Sequence, residues 1–126
     1  MMLPRRVLID TNILLSAEET RLFQTLEESY PELEACVLEG TKRELESMAR
    51  GKGGNKAKLA LALIERQHLN TLSQSVEHVD DALIQEALRE PAYLATQDKE
   101  LQKKALRKGI RVLAIANHRV LREVVS

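Results

Sequence analysis

The chain has 126 residues, a length that one domain fills with a single hydrophobic core and no staples. Apolar residues make up 44% and charged residues 30%, with a formal net charge of zero, which excludes a disordered chain. Aromatics are limited to one Phe and two Tyr, a poor supply for base stacking, and the single cysteine excludes an intrachain disulfide or a structural zinc site.

Two arginines and a few apolar residues precede the first acid, too short a run for a signal peptide or a membrane span. With one cysteine, this fits a cytoplasmic protein with no membrane partner. The first strand is expected at Val7 to Ile9, and it stops abruptly on Asp10. A buried strand that ends on a carboxylate needs that charge for a cap or for chemistry. A helix follows from about Ile13 to Glu28, closed by the "SYPE" break, because Pro31 disfavours helix at Tyr30. Ala35 to Leu38 read as a second strand, in which Cys36 is a small buried hydrophobe.

A helix over residues 41–49 leads into "RGKGG", a flexible basic loop at 50–54. That loop lacks the spacing and the flanking strand of a phosphate-binding loop. The next helix, Asn55 to Gln67, lines up Ala57, Ala60, Leu61, Ile64 and His68 at helical spacing. Residues 69–72 form a third strand, and residues 80–90 a helix whose acidic start suits the macrodipole, ended by Pro91. A fourth strand at 92–96, a helix from Asp98 to Lys108 capped by Gly109, and a strand at 110–115 follow. The last stretch, "NHRVLREVVS", is either a short helix or an edge segment. Alternation of this kind predicts one α/β domain across residues 1–126, a parallel sheet covered on both faces.

The charge is segregated. Residues 10–39 carry eight acids and one base, and residues 77–90 five acids and one base. Residues 41–68 carry seven bases and three acids, and residues 98–119 seven bases and two acids. An acidic pole beside a basic pole suits a polyanion bound next to a cation, although solvated helix faces give the same pattern.

Ligands of open parallel sheets bind outside the carboxyl ends of the strands. Asp10 ends the first strand, Glu44 lies in the helix after the second, Asp81 opens the helix after the third, and Asp98 follows the fourth by two residues. Each acid alone has an ordinary explanation as a helix cap or an exposed residue. Four of them after four successive strands point instead to one carboxylate cluster. Such a cluster repels itself unless a proton or a cation sits within it. Oxygen donors without His or Cys suit Mg²⁺ or Mn²⁺, and an ion of that kind activates water against a phosphodiester. Arg50, Lys52, Lys56, Lys58, Lys99, Lys103 and Lys104 are the candidate phosphate contacts. His68, His78 and His118 are scattered, and are read as packed or exposed histidines.

The segments "VLIDTN", "GTKRELESM", "VDDALIQEA" and "AYLATQDKEL" together resemble the PIN-domain ribonucleases over about residues 6–114. The resemblance implies a three-layer α/β/α fold with a central parallel sheet, and a metal-dependent endonuclease acting on RNA. It assigns Asp10, Glu44, Asp81 and Asp98 to the family's acidic quartet, Asn12 to the polar residue after the first acid, and Thr96 to the hydroxyl before the last. Asp81 is aligned because it precedes "ALI", with Asp80 as its rival.

The run "TQDKELQKKALRKGIRVL" is similar to archaeal relatives of PIN proteins that process ribosomal RNA. The toxin ribonucleases of toxin–antitoxin pairs share the quartet, although many carry Asp where this chain has Glu100. The resemblance therefore implies RNA as substrate, self-association into a homodimer, and an antitoxin or a ribosome-assembly factor as partner. Two competing readings are a PIN-like module that binds RNA without cutting, and a phosphoacceptor domain using Asp10 as nucleophile.

Overall fold

A computed structural model describes residues 3–125. Its six-stranded sheet comprises β1 (Arg6–Ile9), β2 (Glu34–Leu38), β3 (Asn70–Leu72), β4 (Tyr93–Ala95), β5 (Val112–Ala116) and β6 (Val120–Val124). The spatial order is β3-β2-β1-β4-β5-β6, parallel throughout except for antiparallel β6. The chain first builds outward from β1 through β2 to β3, then crosses back to add β4 on the other side. The topology therefore switches between β1 and β4, the place at whose carboxyl edge open parallel sheets generally bind ligands.

Every residue of β1 is buried, as expected of a central strand covered on both faces. Strand geometry sends alternate side chains to opposite faces. Val7 and Ile9 enter one core with Ile13, Leu14, Leu22, Leu45, Ala60 and Ile64, while Leu8 enters the other with Cys36, Leu83, Leu94, Leu101 and Ala105. The first face is covered by α1 (Thr11–Leu15), α2 (Ala17–Thr20), α3 (Leu22–Ser29), α4 (Glu39–Arg50) and α5 (Asn55–Arg66). The second is covered by α6 (Val79–Arg89) and α7 (Lys99–Arg107). The result is the expected three-layer α/β/α arrangement, with a sheet that is mixed at one edge.

One local expectation is corrected, and one open choice is resolved. The single helix expected from Ile13 to Glu28 is three short helices. Its buried residues Ile13, Leu14 and Ala17 are followed by Leu22 and Leu26, a slip of phase that one helix would turn away from the sheet. Arg21 resets the phase by adopting the left-handed conformation (φ 55°), and its N–H bonds back to the carbonyls of Ala17 and Glu18. The final stretch, read as a short helix or an edge segment, is the edge strand β6. Asn117 and His118 both have positive φ (52° and 64°), which is the requirement of a tight hairpin turn between β5 and β6. Gly109 (φ 79°) ends α7 as expected, in a Schellman arrangement where Ile110 N–H reaches Ala105 O and Gly109 N–H reaches Leu106 O, both at 3.0 Å.

Candidate active site

Register brings the first two site residues together. Ile9 pairs with Ala95 in the β1–β4 ladder, and Asp10 N–H donates to Ala95 O at 3.0 Å. Asp10 and Thr96 therefore leave neighbouring strands side by side. The Thr96 hydroxyl donates to Asp10 Oδ2 at 2.7 Å. Thr11 N–H donates to Oδ1 at 2.8 Å, so Asp10 also caps the short helix α1. Asn12 Nδ2 donates to Oδ2 at 3.1 Å. The helix cap and the cluster role considered above are thus compatible, because each carboxylate oxygen has more than one lone-pair direction.

Asp10 is only 6% exposed, and no cation of the chain bonds to it among the described residues. Burial raises its proton affinity above the ordinary carboxylate range; hydrogen bonds from Thr96 and Thr11 oppose this, and the charges of Asp80 and Glu44 add to it. Asp98 lies at the start of α7, where its Oδ1 accepts Glu100 N–H at 2.9 Å and Leu101 N–H at 3.3 Å. Its own N–H donates to Thr96 Oγ1 at 3.1 Å, so one fully buried hydroxyl links the two aspartates. Glu44 is exposed on α4, on the same side.

The helix period separates the two neighbouring acids of α6. Asp80 shares its face with buried Leu83, Ile84 and Ala87, and it is half-buried. It lines a hollow of about 630 Å³ with Glu44, Glu77, His78 and Val79. Burial raises its proton affinity, and the charges of Asp98, Glu44 and Asp81 raise it further while His78 opposes them. Asp81 shares its face with exposed Gln85 and Leu88. Lys104 Nζ donates to Asp81 Oδ1 at 2.8 Å and holds its carboxyl below the ordinary range. Asp10, Glu44, Asp80 and Asp98 thus act on one another through their charges, and Asp81, which also acts on Asp80, is paired with Lys104.

The donor set is all oxygen, from carboxylates with hydroxyl and amide support, which is the chemistry that Mg²⁺ or Mn²⁺ prefers. As the side chains stand, no three acid, His or Cys groups among the described residues are close enough together to grip an ion. The set fits an ion held by few direct ligands and by water, the habit of Mg²⁺.

Of the candidate phosphate contacts, Arg50, Lys52, Lys58, Lys99 and Lys103 are exposed. Lys56 instead pairs with Glu19 at 3.0 Å, and Lys104 pairs with Asp81. His68, His78 and His118 are all exposed. Cys36 is fully buried, and burial pushes its thiol up to about 12, as befits a packing residue.

Two glutamines were not foreseen. Gln102, buried in α7, donates through Nε2 to Thr96 O at 2.7 Å, and Gln97 N–H donates to Asn12 Oδ1 at 3.1 Å. No local sequence signal marks either, since both partners lie in other elements or across a turn.

A family model described as a PIN-like domain matches residues 7–118. A solved structure of the PIN domain endonuclease Utp24 is similar at 28% identity with a TM-score of 0.78, covering 98% of this chain and 97% of that one. A domain of a functionally unknown protein from Methanocaldococcus jannaschii DSM 2661 is similar at 16% identity with a TM-score of 0.70, covering 97% and 99%, and speaks to the fold alone. No curated protein matches.

Proposed function

We propose that this protein, which belongs to the PIN-like domain family, is a divalent-metal-dependent endoribonuclease. The observation that carries the reading is the mutual charge interaction of Asp10, Glu44, Asp80 and Asp98 at the carboxyl edge of the sheet, with Asp10 and Asp98 linked through the Thr96 hydroxyl. The endonuclease Utp24, similar over nearly the whole chain, supports the same class of reaction.

Asp10 and Asp98 would hold Mg²⁺ or Mn²⁺ most directly, with Asp80 and Glu44 acting through water. When bound, the ion supplies Lewis acidity, neutralising charge on a phosphodiester and acidifying water. The chain's own residues supply orientation. Thr96, Thr11 and Asn12 fix both oxygens of Asp10, and the first-turn amides of α7 fix Asp98. Asp80 and Glu44, which line one hollow, would align an attacking water. Asp80 takes the third acidic position in this reading, because it is half-buried toward Glu44 while Asp81 lies on the exposed face and pairs with Lys104. Arg50, Lys52, Lys58, Lys99 and Lys103 would track the RNA backbone.

The run "TQDKELQKKALRKGIRVL" makes ribosomal RNA precursors the first substrates to test, ahead of the targets of toxin ribonucleases. A labelled-RNA assay with Mg²⁺ and Mn²⁺, with Asp10→Asn alongside, is the decisive experiment. Metal-dependent cleavage that the variant loses supports the nuclease. Tight RNA binding with no cleavage in either metal favours a binding module, and a stable acyl-phosphate on Asp10 favours the phosphoacceptor. Co-purification with a small antitoxin would move the protein to the toxin branch.

A further inference from the structure

Gln97 is exposed and carries no charge, yet it joins two elements that the backbone leaves apart. The β4–β5 ladder ends as Thr96 N–H donates to Leu113 O at 3.1 Å, and the chain then turns away into α7. Strand β5 runs on to Ala116, so Ile115 has no β4 backbone to pair with. The Gln97 side chain fills that gap. Its Oε1 accepts Ile115 N–H at 2.6 Å, and its Nε2 donates to Ile115 O at 3.1 Å. A primary amide offers the same carbonyl and N–H pair as a peptide unit, so it continues the sheet by one rung.

With the side chain so anchored, the Gln97 backbone N–H is held toward Asn12 and donates to its Oδ1 at 3.1 Å. An amide whose oxygen is occupied must present its nitrogen on the other side. Asn12 Nδ2 accordingly faces Asp10 Oδ2 at 3.1 Å. Asn12 is exposed on the five-residue helix α1, and its neighbours within that helix do not hold its amide in one sense. The line of contact therefore runs from Ile115 through Gln97 and Asn12 to the buried aspartate.

We infer that Gln97 is a positioning residue for the acidic site, pinning the β4–α7 turn to β5 and thereby fixing which way the Asn12 amide faces Asp10. The inference rests on the reading of those acids as a metal site. Partners that orient metal-binding carboxylates typically change metal affinity by about 10- to 100-fold when removed.

The test is Gln97→Met, which keeps the chain length and removes both amide bonds. Hydrogen exchange of the Ile115 amide should accelerate at least about tenfold. The Asn12 side-chain NH₂ resonances should move toward those of a free amide. The Kd for Mn²⁺, measured by calorimetry, should rise about tenfold. In an Asn12→Ala background the same substitution should have little further effect on Mn²⁺ affinity, the non-additivity expected of residues acting in series. A general loss of packing would not give that pattern.

Unchanged Asn12 resonances, or an undiminished Gln97→Met effect in Asn12→Ala, would overturn the inference. If Gln97→Met does not fold, Gln97→Glu, which keeps the acceptor for Ile115 N–H and loses only the Nε2 bond to Ile115 O, carries the Asn12 resonance and Mn²⁺ measurements, with smaller shifts in the same direction. A wild-type protein that binds no Mn²⁺ and cuts no RNA overturns the acidic-site reading instead. The Asn12 signals would still decide whether Gln97 orients that amide.

Discussion

Arg6 opens the first strand and Asp10 follows its last residue, and the two are 7% and 6% exposed. At the amino end, Arg6 Nη1 meets Glu86 Oε2 at 2.9 Å, and Nη2 reaches Glu90 O at 2.7 Å. Arg89 also binds Glu86 and lies within 3.7 Å of Glu90, so every charge in that group faces its opposite. At the carboxyl end Asp10 meets dipoles only, and the charges that reach it, Asp80 and Glu44, have its own sign. One strand thus buries a charge that folding has already neutralised and another that folding leaves in deficit of a cation. The first kind holds structure together. The second stores unfavourable electrostatics that a bound cation would relieve, which makes it the candidate site.

The comparison is most severely tested by Asp10→Asn. RNA cleavage should fall at least about 100-fold, and added Mn²⁺ should no longer raise the melting temperature. Without metal, the variant should be at least as stable as the parent at neutral pH. The sign follows from linkage: the folded proton affinity of Asp10 is raised, so ionising it costs stability as pH climbs above its ordinary 3.8, and Asn removes that cost. A large drop in metal-free melting temperature would make Asp10 a structural charge like Arg6.

Arg6→Met should do the reverse. Leaving Glu86 without its buried partner should destabilise by about 3 kcal/mol, read by urea unfolding, while cleavage per folded molecule stays near the parent value. Lost cleavage at full folding would erase the distinction between the two ends.

The two acids of α6 sharpen the contrast within a single turn. Asp80→Asn should weaken Mn²⁺ binding about tenfold, and Asp81→Asn should change it by less than about twofold. The opposite ranking would return the third acidic position to Asp81.

The smallest effect is a pH dependence. Arg89, and then Arg6, hold the Glu86 carboxyl below its ordinary 4.5 against the opposing effect of burial. Its contribution to stability is complete above that value and is lost as pH falls toward the lower folded value. Glu86→Gln should flatten this acid limb of the stability curve, and an unchanged limb would show that Glu86 is not the group responsible.

Much of the site was legible because it follows from connection rules. In a parallel sheet, residues just past each strand lie at one edge, so Asp10, Asp98 and the acids after β2 and β3 had to share it. Helix phase, with Leu83, Ile84 and Ala87 on the face of Asp80, favours Asp80 for the third acidic position. Similarity to "DALI"-type family motifs favours Asp81, and the paired Asp80→Asn and Asp81→Asn variants decide between the two. The break at Arg21 left a comparable trace, the slip from Ala17 to Leu22, that a continuous helical reading passed over.

Periodicity, turn residues and capping signals were enough to determine the elements, the α/β class and the edge at which the carboxylates gather, because each acts over a few neighbouring residues. The tertiary structure alone decided which charges were answered and which were not. Lys104 reaches Asp81 across 23 positions, Gln97 reaches Ile115 across 18, and Arg6 reaches Glu86 across 80. Those distances close only once the strands are ordered and the helices docked. A buried charge becomes a structural pair or a cation site according to what that docking places beside it.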